Sequence, residues 1–225
     1  MKTHWDVMAA TDFFAVEVWT HRGLKTFYAL FIIHLSSRSA HIAGVTTASN
    51  GAFIKQVARN LTDVGNGFLI GLRYLIMDRN IKYTTDFRGN LEREGVQPVR
   101  CPAQAPNCNA FAERFVRSIK EECLDHVILF GEASLRRALR EYVVHFQTER
   151  NHQGVGNRLL NPPATVCSIE EPIRRRERLG GLLNYYHDRF TQTEIESILC
   201  TPTKRVQEIH MMGFAFWSGL RISRS

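Results

Sequence analysis

"DVMAATDFFAVEVW", residues 6–19, is apolar on both alternating faces and rich in Val and Phe, which is the composition of a buried strand. One residue does not suit it. Asp12 shares a face with Met8, Ala10, Phe14 and Val16, and aspartate is depleted in strands. A carboxylate desolvated among such neighbours has to be protonated, hydrogen-bonded or matched by a cation. Taken by itself, Asp12 reads as a surface-facing or bulge residue, because structural acids greatly outnumber catalytic ones.

The stretches that follow settle what kind of sheet this strand belongs to. "KTFYALFIIHLSS" (25–37) and "RSAHIAGVTT" (38–47) are two further strands, with turns at Gly23 and at Ser36, Ser37 and Arg38. Together they predict a meander of three antiparallel strands. "NGAFIKQVARNLTDV" (50–64) places Phe53, Val57, Leu61 and Val64 at helical spacing, with Asn50 as N-cap and Gly65 as stop. "RYLIM" (73–77) is a short apolar run that suits a central strand covered on both faces. "TTDFRGNLEREG" (84–95) is a short helix capped near Thr85 or Asp86, and "VQPVRC" (96–101) a brief strand. "PNCNAFAERFVRSIKEECL" (106–124) reads as one long helix with an apolar stripe of Ala112, Phe115, Val116, Ile119 and Cys123. "EASLRRALREYVVHFQTER" (132–150) is another. The order βββ-α-β-α-β-α-α predicts an α/β fold around a mixed five-stranded sheet.

Beyond Arg150 the texture changes. "NHQGVGNRLLNPPATV" (151–166) is loop-like, and His152 and Asn151 within it are read as structural. "EPIRRRERLGGLLNYYHDRF" (171–190) carries a basic cluster at Arg174, Arg175, Arg176 and Arg178, which reads equally as a DNA-following run or a solvated charge run. From about Asp188 onward only Thr193–Leu199 has a hint of periodicity.

The totals narrow the classes. The 225 residues allow one ordinary domain plus an extension. At 44% hydrophobic and 23% charged the composition is that of a globular protein, and the net charge of +7 favours a polyanionic partner, most simply nucleic acid. The five cysteines, Cys101, Cys108, Cys123, Cys167 and Cys200, have no CxxC spacing, and HxxxH is absent. That excludes a zinc finger and gives no disulfide framework; reduced thiols in a cytosol are the expectation. Asp6 and Asp12 interrupt any signal-peptide core, and the most apolar run, "FYALFIIHL", is nine residues long, too short to span a bilayer.

Two more acids join Asp12. Asp78 ends the fourth strand, where open α/β sheets present ligand-binding groups, although Asp before Arg79–Asn80 also suits a turn. Glu113 opens the helix of 106–124, where an ordinary reading pairs it in solvent with Arg117 at i+4. As a set they come from a first strand, a fourth strand and a later helix, and thirty-four residues separate the second from the third.

Here the sequence resembles the catalytic core of insertion-sequence transposases and retroviral-type integrases, the D,D,E family with an RNase H-like fold. "HWDVMAATDFFAVEVWT", "RYLIMDRNIKYT", "NAFAERFVRSIKEECLDHVILFGEASLRRALREY" and "ERNHQGVGNRLL" carry the resemblance, which spans about residues 4–187. It implies helices on both faces of the sheet, and Asp12, Asp78 and Glu113 as catalytic and metal-binding acids. They would hold Mg2+ or Mn2+, as two ions roughly 4 Å apart. It further implies hydrolysis at DNA ends and attack of the freed 3′-hydroxyl on target DNA, without a covalent protein–DNA intermediate. Arg117 and Lys120 lie on nearly the same helix face as Glu113 and are expected to meet DNA phosphates, as are Arg174, Arg175 and Arg176.

The expected domains are a catalytic core over 1–152, a basic extension over 153–187 and a tail over 188–225. The expected partners are DNA, as element ends and target, and a second copy of the chain, with no membrane and no zinc. The expected location is the cytoplasm, on the nucleoid when DNA-bound. Two departures from the family pattern stand out. Met77 replaces a common His before the second Asp, and Asn80 replaces a common Asp two residues after it. No helix-turn-helix precedes Asp12, since eleven residues cannot hold one; the expectation is a truncated transposase, with a read-through or frame-shifted tail. The competing functions are a catalytically idle DNA-binding remnant and an RNase H-like nuclease. A tyrosine recombinase is disfavoured, since no HxxR context accompanies Tyr185 or Tyr186.

Overall fold

A computed structural model of the chain describes residues 2–80, 82–102, 106–161 and 174–187. The chain divides into two units, Met1–Ala164 with Arg175–His187, and Thr165–Arg174 with Asp188–Ser225. Of the second unit only Arg174 is described, so the expectations for the tail lie outside the described residues.

The first unit is built on strands β1 (Met8–Thr20), β2 (Gly23–His34) and β3 (Ala40–Thr46), helix α1 (Gly51–Thr62), strand β4 (Tyr74–Met77), helix α2 (Thr85–Arg93) and strand β5 (Gln97–Arg100). Helices α3 (Ala110–Glu122) and α4 (Gly131–Thr148) follow, then strands β6 (Arg174–Arg178) and β7 (Leu183–His187). The main sheet has the order β3-β2-β1-β4-β5, with β1–β2 and β2–β3 antiparallel and β1–β4 and β4–β5 parallel. This is the mixed five-stranded sheet that the sequence predicts.

Local chemistry explains the order. The chain turns at His21 and Arg22 between β1 and β2, and Gly23, directly after them, takes a positive φ of 95°, the left-handed position that glycine fills most readily. Pro98 lies in β5, an edge strand whose outer side needs no ladder donor. Gly44 in β3 lets α1 pack closely: a Cβ there would meet the Phe53 ring at 2.8 Å. Asn50 caps α1 as expected, accepting from the Phe53 amide at 2.9 Å.

The two faces of the sheet sort by alternation. Ala10, Phe14, Phe31, Ile33 and Ile76 face a cluster with Phe115, Ile119, Leu139, Tyr142 and Phe146 of α3 and α4. Ala9, Leu30, Ile32, Leu75 and Met77 face Ile54, Leu61, Phe87 and Leu91 of α1 and α2. Successive strand residues point to opposite faces, so β2 and β4, buried on both sides, carry continuous apolar runs.

Three boundaries differ from the sequence reading. α1 ends at Thr62, before Gly65, because Asp63 turns into extended backbone. α2 is capped by Thr84, whose hydroxyl accepts from the Phe87 amide. The long helix of 106–124 is α-helical only from Ala110, after a 3-10 turn over Pro106–Asn109. The sequence reading also leaves 171–190 as a charge cluster, whereas β6 and β7 pair as a two-stranded sheet. No alternation betrays β6, because its arginines are nearly all exposed. Among the described residues no helix is long and apolar enough to cross a membrane.

Candidate active site

The β1–β4 pairing places the first two acids. Ala10 lies opposite Ile76 and Thr11 opposite Met77. Carried one step further, the same parallel register sets Asp12 beside Asp78, on adjacent strands about 4.8 Å apart. Both fall two residues beyond Ala10 and Ile76, on the face covered by α3 and α4. Met77 points the other way, into the α1–α2 core, where an apolar side chain fits. Asp12 Oδ1 accepts from the Phe13 amide at 2.7 Å, and Asp78 Oδ1 from the Asn80 amide at 3.0 Å. Asn80 in turn accepts from the Lys82 amide. This Asx turn shapes the loop after β4 and gives Asn80 a local role.

Glu113 lies exposed in the first turn of α3, where the helix macrodipole favours a carboxylate. The pairing with Arg117 that an ordinary surface reading expects is not among the ion pairs of the described residues. α3 is fastened to β1 by Asn109. Its buried amide donates to the Thr11 carbonyl at 3.1 Å, next to Asp12. Asn109 stands at the N-cap position of α3, but its side chain makes no capping bond. Its Oδ1 is buried without a partner.

Electrostatics link the three acids. Burial pushes the Asp12 carboxyl up to about 6, and the charges of Asp78 and Glu113 push the same way. The Phe13 amide and Lys82 pull against them. Cys101 is pushed up to about 12 by burial and by Cys108, and it also feels both Asp78 and Glu113. Burial raises the Tyr83 hydroxyl, with Asp12 and Asp78 adding to it. The three carboxylates therefore share one field. Among the described residues, however, no three His, Cys, Asp or Glu side chains come together as a ready-made metal group. Mutual repulsion between like charges opposes closer approach. The donor set suits a hard divalent cation: only carboxylate oxygens, one of them carrying a desolvation cost that a cation would relieve.

Lys82 and Asn109 are the site residues that the sequence reading missed. Lys82 Nζ sits 3.7 Å from the Tyr28 ring centroid and 4.9 Å from that of Phe13, which holds a cation beside Asp12. Nothing in the spacing marks it. Asn109, four residues before Glu113, falls inside the single long helix read over 106–124.

Comparison with known proteins adds one independent observation. Residues 94–159 match the integrase core domain family. The matched segment holds Glu113, Asn109, Arg117 and Lys120, while Asp12 and Asp78 precede it. Two solved structures similar to this chain are of integrases. The catalytic core domain of BIV integrase is 13% identical, with 69% of this chain and 91% of that one covered and a TM-score of 0.45. The simian T-cell lymphotropic virus intasome, solved in complex with PP2A regulatory subunit B56 gamma, is 12% identical, with 80% and 66% covered and a TM-score of 0.46. No curated protein matches.

The remaining predicted DNA contacts fall in two places. Arg117 is exposed and Lys120 half-exposed on α3. Arg174, Arg175 and Arg176 are exposed on β6. Arg175 pairs with Glu177 at 3.1 Å and Arg176 with Glu149 at 3.5 Å. Glu149 is buried beneath Arg178, which reaches both of its oxygens. Burial alone would raise the Glu149 carboxyl, but the bonds from Arg178 and His145 hold it below the ordinary range. His152 is structural, as expected: buried, with Nε2 donating to the Phe146 carbonyl at 2.6 Å.

Proposed function

We propose that the chain is the catalytic part of a DNA transposase or integrase, hydrolysing phosphodiesters at DNA ends and transferring the 3′-hydroxyl to target DNA. The observation that supports this reading is the β1–β4 register, which pairs Thr11 with Met77, the residues just before Asp12 and Asp78, while the charges of Asp78 and Glu113 both act on the Asp12 carboxyl. The integrase core match over the third acid's segment supports it.

In this reading Asp12, Asp78 and Glu113 hold the cations. Bound Mg2+ or Mn2+ supplies the Lewis acidity for activating an attacking oxygen and stabilising a leaving one. The chain's own residues provide the rest. Phe13 and Asn80 amides fix one oxygen of each aspartate, which leaves the other oxygen for a cation. Asn109 holds the first turn of α3 against β1, so Glu113 stays near the aspartates. Arg117 and Lys120, at i+4 and i+7 from Glu113, attract the DNA backbone, as do Arg174, Arg175 and Arg176 on β6. DNA is the partner, the chain works as a homo-oligomer, and it acts in the cytoplasm.

The test is cleavage and joining of labelled DNA ends with Mg2+ or Mn2+. Wild type is compared with Asp12→Asn, Asp78→Asn and Glu113→Gln, each checked for folding. Each substitution is expected to lower turnover by at least about a hundredfold, the loss of one charged ligand in the transition state. Activity untouched by all three refutes the assignment. Cleavage without joining assigns the chain to the RNase H-like nucleases, and binding without cleavage to idle remnants.

A further inference from the structure

Beside α3 lies a cavity of about 420 Å³. Its walls include Arg38, Phe111, Arg114, Arg117, Arg150 and His152, and no carboxylate lines it. Arg150 is already committed, bridging both oxygens of Glu122 from its Nε and Nη2 atoms. Burial holds His152 below the usual imidazole range, so it adds no charge at neutral pH. Arg38, Arg114 and Arg117 have no ion pair among the described residues.

Arg38 is the telling residue. It follows the β2 turn with φ at +61°, a conformation that side chains seldom adopt. Its guanidinium carbon sits 3.4 Å from the Phe111 ring centroid and 5.1 Å from that of Trp5, which fixes it against the cavity wall. Its Nη1 is nevertheless buried with no hydrogen-bond partner. Burial and the neighbouring Arg114 both disfavour its charge. A desolvated guanidinium with a spare N–H and a like-charged neighbour is costly until an anion completes it. The guanidinium fork matches the paired oxygens of a phosphate group.

We propose that this cavity is a phosphate-binding subsite, with Arg38 and Arg114 as its forks. It takes a backbone phosphate of the DNA strand that reacts at the carboxylates. The assignment rests on the transposase reading and adds a second anchor to it. Residues advance by about 100° along a helix, so Glu113 and Arg114 open to neighbouring sectors of α3. One turn thereby serves the acids on one side and the cavity on the other, with Arg117 between them.

The experiment measures binding of a short labelled duplex to the full chain, in chelator and without divalent metal, across a salt series. The double variant Arg38→Gln/Arg114→Gln is compared with Lys55→Gln/Arg59→Gln, which removes the same charge from exposed residues of α1 on the opposite sheet face. The cavity variant is expected to weaken binding about tenfold and to lower the salt slope by about 1, one phosphate contact. The α1 variant is expected to do neither. Equal effects in both overturn the subsite and leave only general charge. Arg114→Gln alone, at an exposed residue, carries the comparison if the double variant does not fold. A second arm titrates inorganic phosphate alone, following the arginine Nε–H resonances. Duplex should move the Arg38 signal far below the concentrations at which inorganic phosphate does; movement by inorganic phosphate with none by duplex overturns the DNA assignment. Because binding is read without metal, a failure of the carboxylate assay leaves this result readable, and insensitive binding with intact cleavage sinks the subsite alone.

Discussion

Asp12 is a residue whose burial costs stability, a cost that the proposed cation site would relieve. In an unfolded chain its carboxyl titrates near 3.8, whereas in the fold burial and two neighbouring carboxylates push it up to about 6. The native state therefore binds the proton more tightly than the unfolded state. Its contribution to stability is complete below about pH 4 and is lost as pH rises through 6. Asp12→Asn keeps the shape and removes the titration. Urea midpoints measured from pH 4 to 7 are expected to fall less with pH in the variant, which should be the more stable protein at pH 7. An unchanged slope in Asp12→Asn would show that Asp12 is solvated like any surface acid.

The elements place this residue, and their placement was partly legible. The apolar runs in residues 6–47 and "RYLIM" gave the three-stranded meander and a further central strand, because burial on both faces leaves a continuous apolar imprint. Asp12 and Asp78 could be found for the same reason: each interrupts or ends such a run. Glu113 had no such mark, since an exposed acid on a helix looks like any other; only the family resemblance singled it out. Asn109 and Lys82 were missed because each acts through tertiary contact, an amide to the Thr11 carbonyl and an ammonium over two rings. The β6–β7 hairpin was missed because its charges face water and Arg178 reaches a buried acid far away in sequence. Asn109 ties the α3 element to β1. Asn109→Ala is expected to cost only about 1 kcal/mol, because the lost bond is offset by removing the buried, unpartnered Oδ1. The Mn2+ concentration for half-maximal cleavage should rise severalfold, as Glu113 loosens from the aspartates. Equal loss of stability with no change in that concentration assigns Asn109 to packing alone.

At the scale of the whole molecule, the parallel β1–β4 pairing brings the residues just before Asp12 and Asp78 side by side, although the two acids are far apart in the chain. The integrase core match reaches Glu113 but neither aspartate, so the link between the three rests on the fold itself. Mn2+ binding to the full chain tests that link most directly, read by the paramagnetic signal of the free ion at pH 7. Binding by the wild type is expected to weaken at least about tenfold in each of Asp12→Asn, Asp78→Asn and Glu113→Gln, since each loses a charged ligand. Equal Mn2+ affinity in the wild type and all three variants would mean that these carboxylates form no common site.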